Sequence, residues 1–178
     1  MTDPIVATLW FDLLAKIAGP AAHAVNNALN NVAINLALVQ SRANTPGAAA
    51  YAERADGYLM EATRLAQAVM ALSRPVPVPV EPASVLHQLV PVLRATDKVI
   101  EIHDDIAPVA TTPIDGAVVR LAIAAALSES PTSRVHVLRG GEEMQIGGGA
   151  IPVDVADAAR RAGIGLRLEV GQVTFTFT

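Results

Sequence analysis

Ala22-His23-Ala24-Val25-Asn26-Asn27-Ala28-Leu29-Asn30-Asn31 stands inside a long apolar stretch, and its reading decides the fold of the N-terminal half. Val25, Leu29, Val32, Leu36 and Val39 recur at alternating spacings of four and three, the stripe of an amphipathic helix. Asparagine costs a helix roughly half a kcal/mol or more against alanine. Four of them within about a turn and a half serve something other than helix stability.

Working outward, Thr45-Pro46 supplies an N-cap and a first-turn proline. A second stripe follows in the same rhythm: Tyr51, Ala55, Tyr58, Ala62, Leu65, Val69 and Leu72. Two such helices joined by a short loop predict an antiparallel hairpin. Ile34, Leu38, Leu59 and Met70 are apolar positions beside the stripes, so a homodimeric four-helix bundle is expected, with Leu65 and Val69 in its core. Arg74-Pro75-Val76-Pro77-Val78-Pro79-Val80-Glu81-Pro82 cannot continue a helix and reads as a semi-rigid linker. The chain divides accordingly into a helical part, 1–74, a linker, 75–83, and a mixed part, 84–178.

Composition narrows the class. Hydrophobic residues are 52% of 178, yet aromatics are only 3%, so the core must be built from Ala, Val, Leu and Ile. No uninterrupted apolar run reaches the about 18–20 residues of a membrane span, and the N-terminus lacks the basic lead of a signal peptide. A cytoplasmic protein without a membrane partner is expected. With no cysteine, disulfides and thiolate metal sites are excluded. A net charge of -4 and a pI near 5.5 argue against nucleic acid as a partner, because phosphate neutralisation needs a basic face.

His23 falls off the stripe, and Asn26, Asn27, Asn30 and Ile34 share its side of the helix. A lone helical histidine is usually a solvated surface residue. The Asn ridge argues otherwise, since alanine would suit the helix better.

His23 followed by Asn26-Asn27, Leu29 and a hydrophobic heptad helix resembles the phosphoacceptor helix of the dimerisation and histidine-phosphotransfer domain of bacterial sensor histidine kinases, over roughly 18–74. The resemblance implies that His23 is the phosphoacceptor and that a response-regulator receiver domain, supplied by a separate regulator or a hybrid histidine kinase, docks beside it on Asn26, Asn30 and Ile34. It further implies that Asn27 positions water or phosphate. Ala24 stands where such kinases carry Asp or Glu, so His23 lacks a partner that would sharpen its attack on ATP. Exchange with a receiver aspartyl-phosphate is less demanding, because the donor is an acyl phosphate and the receiver brings its own Mg²⁺.

In the second half a helix is expected over 84–94, a strand over 99–103, an apolar helix over 114–129, a strand over 134–139 and a helix over 153–162. A closing hairpin pairs Leu166, Leu168 and Val170 with Val173, Phe175 and Phe177 across Gly171-Gln172. Pro91 puts the end of the first helix in question. This order resembles the ATP-binding α/β sandwich of histidine kinases in degenerate form. No Asn stands in Leu121–Glu129 to help hold Mg²⁺, no Asp in Gln145–Pro152 to meet adenine, and too little chain separates Pro152 from Gly163 for an ATP lid. Gly147-Gly148-Gly149 reads either as a plain turn or as a phosphate cradle before a helix, and Gly163-Ile164-Gly165 as a helix C-cap.

His87, His103 and His136 lack the close spacing of a local metal motif and read as solvated or boundary residues, a spatially assembled metal site being the alternative. Asp104-Asp105, Asp154 and Asp157 read as turn and helix-start residues. The combined expectation is an α+β, two-domain histidine phosphotransferase, with a helical hairpin dimerising into a four-helix bundle, a degenerate kinase-like α/β sandwich, no ATP and no intrinsic cofactor. The alternatives are a shortened active histidine kinase and a non-enzymatic pseudokinase scaffold that only binds receivers.

Overall fold

Pro4 sits in the first turn of a helix, and the Asp3 carboxylate accepts the Ile5 N–H at 2.9 Å. The helix so started, α1 (Pro4–Ser41), runs 38 residues and passes through Pro20 without ending. It turns back into α2 (Ala48–Leu72), whose cap position is Gly47. The computed structural model describes residues 3–43, 47–74, 80–96, 98–104, 111–131, 134–140 and 142–177. Thr45-Pro46 and most of the proline linker, 75–79, lie outside the described residues.

The hairpin forms, with one change of rotation. On α2 the stripe is buried as its spacing predicts: Ala55, Ala62, Leu65 and Leu72 are buried, and Tyr51, Tyr58 and Val69 half-buried. On α1, Ala28 and Asn35 take the seam, while Leu29 and Leu36 remain 44% and 47% exposed. The cause lies upstream. Val6, Trp10, Leu13, Ile17 and Ala21 bury the N-terminal half of the same helix, and the stripe continued from Ala21 reaches Ala28 and Asn35, one position before Leu29 and Leu36. Asn35 keeps its buried amide satisfied by donating Nδ2–H to the Asn31 carbonyl at 2.8 Å.

Val80, within the expected linker, is buried and exchanges backbone hydrogen bonds with Thr112 at 2.9 and 3.1 Å. Then come α3 (Pro82–Arg94), β1 (Val99–Asp104), α4 (Gly116–Ser128), β2 (Arg134–Gly140), β3 (Glu143–Gly147), α5 (Val153–Arg161), β4 (Gly165–Glu169) and β5 (Gln172–Thr176). The architecture is α+β. The sheet order is β1-β2-β3-β5-β4, parallel between β1 and β2, where α4 makes the crossover, and antiparallel elsewhere. α3 runs through Pro91 to Arg94, because Leu89, Val90, Val92 and Leu93 are all buried around it.

Two local expectations are corrected. β3 was not anticipated: only Met144 and Ile146 alternate with polar residues, and the strand is held by neighbours on both sides. The closing hairpin turns at Val170-Gly171 rather than Gly171-Gln172, since Glu169 pairs with Gln172, and Gly171 has φ 71°. Gly163, at φ 91°, ends α5 with its N–H on Arg160 O and the Ile164 N–H on Ala159 O, the C-cap expected there.

One buried cluster joins Val6, Trp10, Leu13, Ile17 and Ala21 of α1 to Leu65 and Leu72 of α2, to α3 and α4, and to Met144, Ile146 and Phe175 of the sheet. α1 is long and apolar enough, by length and composition, to cross a membrane, which the run-length reading of the sequence had not shown. Its large side chains Trp10, Leu13 and Ile17 are nonetheless spent on this core.

A Cβ on Gly149 would lie 2.7 Å from Ile146 Cγ2 and 3.2 Å from Ala126 O, whereas one on Gly57, within α2, meets nothing within 4 Å. Gly149→Ala is therefore expected to destabilise by about 1–3 kcal/mol and Gly57→Ala to stabilise by about 0.5–1 kcal/mol. Urea unfolding of the two variants checks both signs.

Candidate functional site

His23 lies well inside α1, three residues after Pro20, and its side chain is exposed. Pro20 has no N–H to donate to the Lys16 carbonyl. That missing bond falls on the exposed side of the helix, where water can replace it.

At about 100° per residue, Asn26, Asn27, Asn30 and Ile34 all fall within about 60° of His23. Every one is exposed, Ile34 by 59%. The seam residues Ala21, Ala28 and Asn35 lie about 120–160° away from His23 around the axis. Leu29 and Leu36 lie about a quarter turn from the seam and about a third of a turn or more from His23. α1 thus carries three faces: a seam inside the chain, an uncovered apolar face, and the polar ridge with its histidine.

α2 repeats the pattern. Leu59 and Met70 are 46% and 59% exposed, off the seam of Ala55, Ala62 and Leu65. Between the helices on that side runs an open, mainly apolar groove of about 300 Å³, lined by Ala22, Val25, Asn26, Ala66, Val69 and Met70. Its α1 wall includes Ala22 and Asn26, so the groove passes beside His23 without enclosing it.

The second half places its glycine turn firmly within the fold. Gly148, at φ 79°, donates its N–H to Gly171 O at 2.6 Å, Gly149 donates to Ile146 O, and Ala150 donates to Ala126 O. Ser130 Oγ also bonds to the Gly148 carbonyl. A phosphate cradle needs free amide donors, and three successive ones are already engaged. On α4, Leu121, Ala122, Ile123, Ala124, Ala125, Ala126 and Leu127 are each at most 1% exposed, so the middle of this helix is closed, while Ala117 and Arg120 at its start and Ala125 near its end border open cavities.

The other histidines do not converge on His23. His87 is exposed on α3 and His103 on β1, while His136 lies on β2, its backbone paired with Glu101 and Gly147. Among the described residues no group of three or more His, Asp or Glu side chains could hold a metal ion. Asp154 accepts the Val155 N–H at 2.9 Å in the first turn of α5, the helix-start role expected of it, whereas Asp157 lies in the middle of α5 and pairs with Arg160 at 3.2 Å. Asp105 lies outside the described residues.

Two contacts were not legible in the sequence. Lys16 Nζ meets Glu129 Oε1 at 3.0 Å, an exposed pair joining α1 to the end of α4. Arg120 of α4 lies over the Trp10 ring, with Cζ 4.2 Å from its centroid. Both tie the helix that carries His23 to the second half, and neither leaves a periodic trace.

The sequence matches no family model and no curated protein. Among solved structures, one described as a bacterial phosphotransferase is similar to this chain with a TM-score of 0.49 at 14% identity, over 94% of this chain and 96% of that one. So loose a superposition transfers neither fold nor chemistry, and the functional argument rests on this chain's own residues.

If the ridge is functional equipment, its asparagines are held against the helix's own preference. Asn27→Ala and Asn30→Ala are each expected to raise stability by about half a kcal/mol, read as an upward shift of the thermal midpoint. Unchanged or lowered midpoints would show that these side chains stabilise the helix.

Proposed function

We infer that this chain is a histidine phosphotransferase, relaying a phosphoryl group between His23 and the aspartate of response-regulator receiver domains. The observation that carries the reading is the exposed His23 on a polar ridge, set apart from both apolar faces of its helix. A histidine so placed is open to a partner's phosphoaspartate. A ring nitrogen attacks phosphorus in line, the P–O bond to the aspartate breaks with its electrons returning to the carboxylate, and phosphohistidine forms. The receiver brings the Mg²⁺ that offsets the charge on the transferring oxygens, so positioning is most of what this chain contributes.

Asn26, Asn30 and Ile34 form the docking surface, and Asn27, one turn beyond His23, orients water or phosphate. The hairpin of 1–74 dimerises through the uncovered faces: Leu29, Leu36, Leu59 and Met70 are exposed in the single chain, and a second hairpin packed there completes a four-helix bundle. His23 lies outside that contact, so dimerisation leaves it free.

The part from α3 onward is read as a degenerate relative of kinase ATP-binding domains that binds no ATP; α3 begins at Pro82 and Val80 is already bridged to Thr112, so the linker is shorter than the 75–83 expected. The engaged amides of the glycine turn support this reading. So does α1 itself, because a second half held by the core residues Val6, Trp10, Leu13 and Ile17 is not free to swing toward His23. The setting is cytoplasmic, with no nucleic-acid or membrane partner, where free receivers or a hybrid kinase would meet it.

The direct test is transfer of radiolabel from phosphorylated receivers of the same genome. Acid-labile label is expected on the native protein and none on His23→Ala, which should fold normally. Label persisting on His23→Ala would sink the assignment. Ile34→Asp is expected to weaken receiver binding, and Asn27→Ala to change the lifetime of the phosphohistidine more than receiver affinity. Light scattering should find the native chain dimeric and a Leu29→Glu, Leu36→Glu variant monomeric, each buried charge in such a seam costing several kcal/mol.

A further inference from the structure

Arg120 is out of keeping with its surroundings. It is 5% exposed on a helix otherwise built of Ala, Val, Leu and Ile, and among the described residues no carboxylate pairs with it. Its Nη1 donates to the Arg74 carbonyl at 2.7 Å, just past the end of α2, and its face rests on Trp10. That accounts for one of five guanidinium N–H groups. Nε is buried with no partner, and burial pulls the guanidinium pKa below its ordinary value. A buried cation without a counter-charge is costly, and stacking on an aromatic ring offsets only part of that cost.

Arg120 is also among the residues that line a half-open cavity of about 260 Å³ where α1, the end of α2 and the start of α4 meet. Trp10, Phe11 and Leu14 give it apolar walls, and Ser73, Arg74 and Asp115 stand at its polar side. The Asp115 carboxylate is turned to its own helix, accepting the Ala117 N–H at 2.8 Å. Arg74 and Arg120 against Asp115 leave one net positive charge. We propose that this cavity binds a small monocarboxylate with a compact apolar body, its carboxylate at Arg120 and its body against Trp10, Phe11 and Leu14. A doubly charged phosphate group suits the site less, since the single net positive charge would not balance it. Trp10 lies thirteen residues before His23, about 20 Å along the helix, so the site is separate from the histidine and does not rest on the phosphotransfer reading.

Trp10 is the only tryptophan in the chain, so its fluorescence reports on the cavity directly. Titration of the full-length protein with benzoate is expected to give a saturable change with a dissociation constant of about 1 mM or tighter. Benzyl alcohol, of similar body but uncharged, and acetate, charged but without the body, should each bind at least about tenfold more weakly. Arg120→Met should weaken benzoate binding by about tenfold or more. Because removing Arg120 also frees the Arg74 carbonyl, Ala7→Leu supplies a second variant: it fills the cavity and should abolish binding while circular dichroism and the cooperative melt are retained. The proposal is overturned if benzoate gives no saturable change, if benzyl alcohol or acetate binds as well, or if folded Ala7→Leu protein binds benzoate like the native chain.

Discussion

A single rigid helix has to satisfy two partners at once, and the rest of the structure follows from how α1 does so. Its first five turns bury Val6, Trp10, Leu13, Ile17 and Ala21 in the core shared with α3 and α4, and its later turns bury Ala28 and Asn35 against α2. A helix cannot rotate at one end without rotating at the other. The large side chains at the N-terminal end, Trp10 above all, therefore set the direction of every residue further along. The exposure of His23 is a consequence of that alignment.

The same constraint explains why an asparagine is buried while leucines are exposed. Leu36 would release more free energy on burial than Asn35, by roughly 25 cal/mol for each Å² of apolar surface. The rotation that buries Leu36 would lift Ile17 and Trp10 out of the larger core. Asn35 is tolerated because its amide bonds to the carbonyl one turn back. The leucines left outside are then available for a second hairpin, so the misfit of one seam within the chain supplies the apolar surface of the proposed dimer.

In the second half, the tight packing of α4 dominates. Its Ala-rich middle lets neighbouring elements approach closely, and a Cβ on Gly149 would come within 3.2 Å of the Ala126 carbonyl and 2.7 Å of Ile146 Cγ2. The glycine run that the sequence left open between a turn and a phosphate cradle is thus occupied by the fold, its amides bonded to Gly171, Ile146 and Ala126. Arg120 is the one charge admitted to this helix's buried stretch, and it bridges α4 to both helices of the hairpin through Trp10 and the Arg74 carbonyl.

Local periodicity carried much of the architecture. The α2 seam, the order of helices and strands after the linker, the C-cap at Gly163 and the exposed ridge of His23, Asn26, Asn27, Asn30 and Ile34 were all legible, because each depends on residues within a few turns of one another. β3 was not, since Glu143–Gly147 has too few apolar residues to declare itself and is a strand only because β2 and β5 flank it. Nor was the choice of Asn35 over Leu36, or the contacts of Lys16 with Glu129 and of Trp10 with Arg120. The sequence by itself determined which segments are helix or strand and which residues share a face. The tertiary structure decided which face turns inward, because that rests on the competition between partners more than a hundred residues apart, and no local repeat records its outcome.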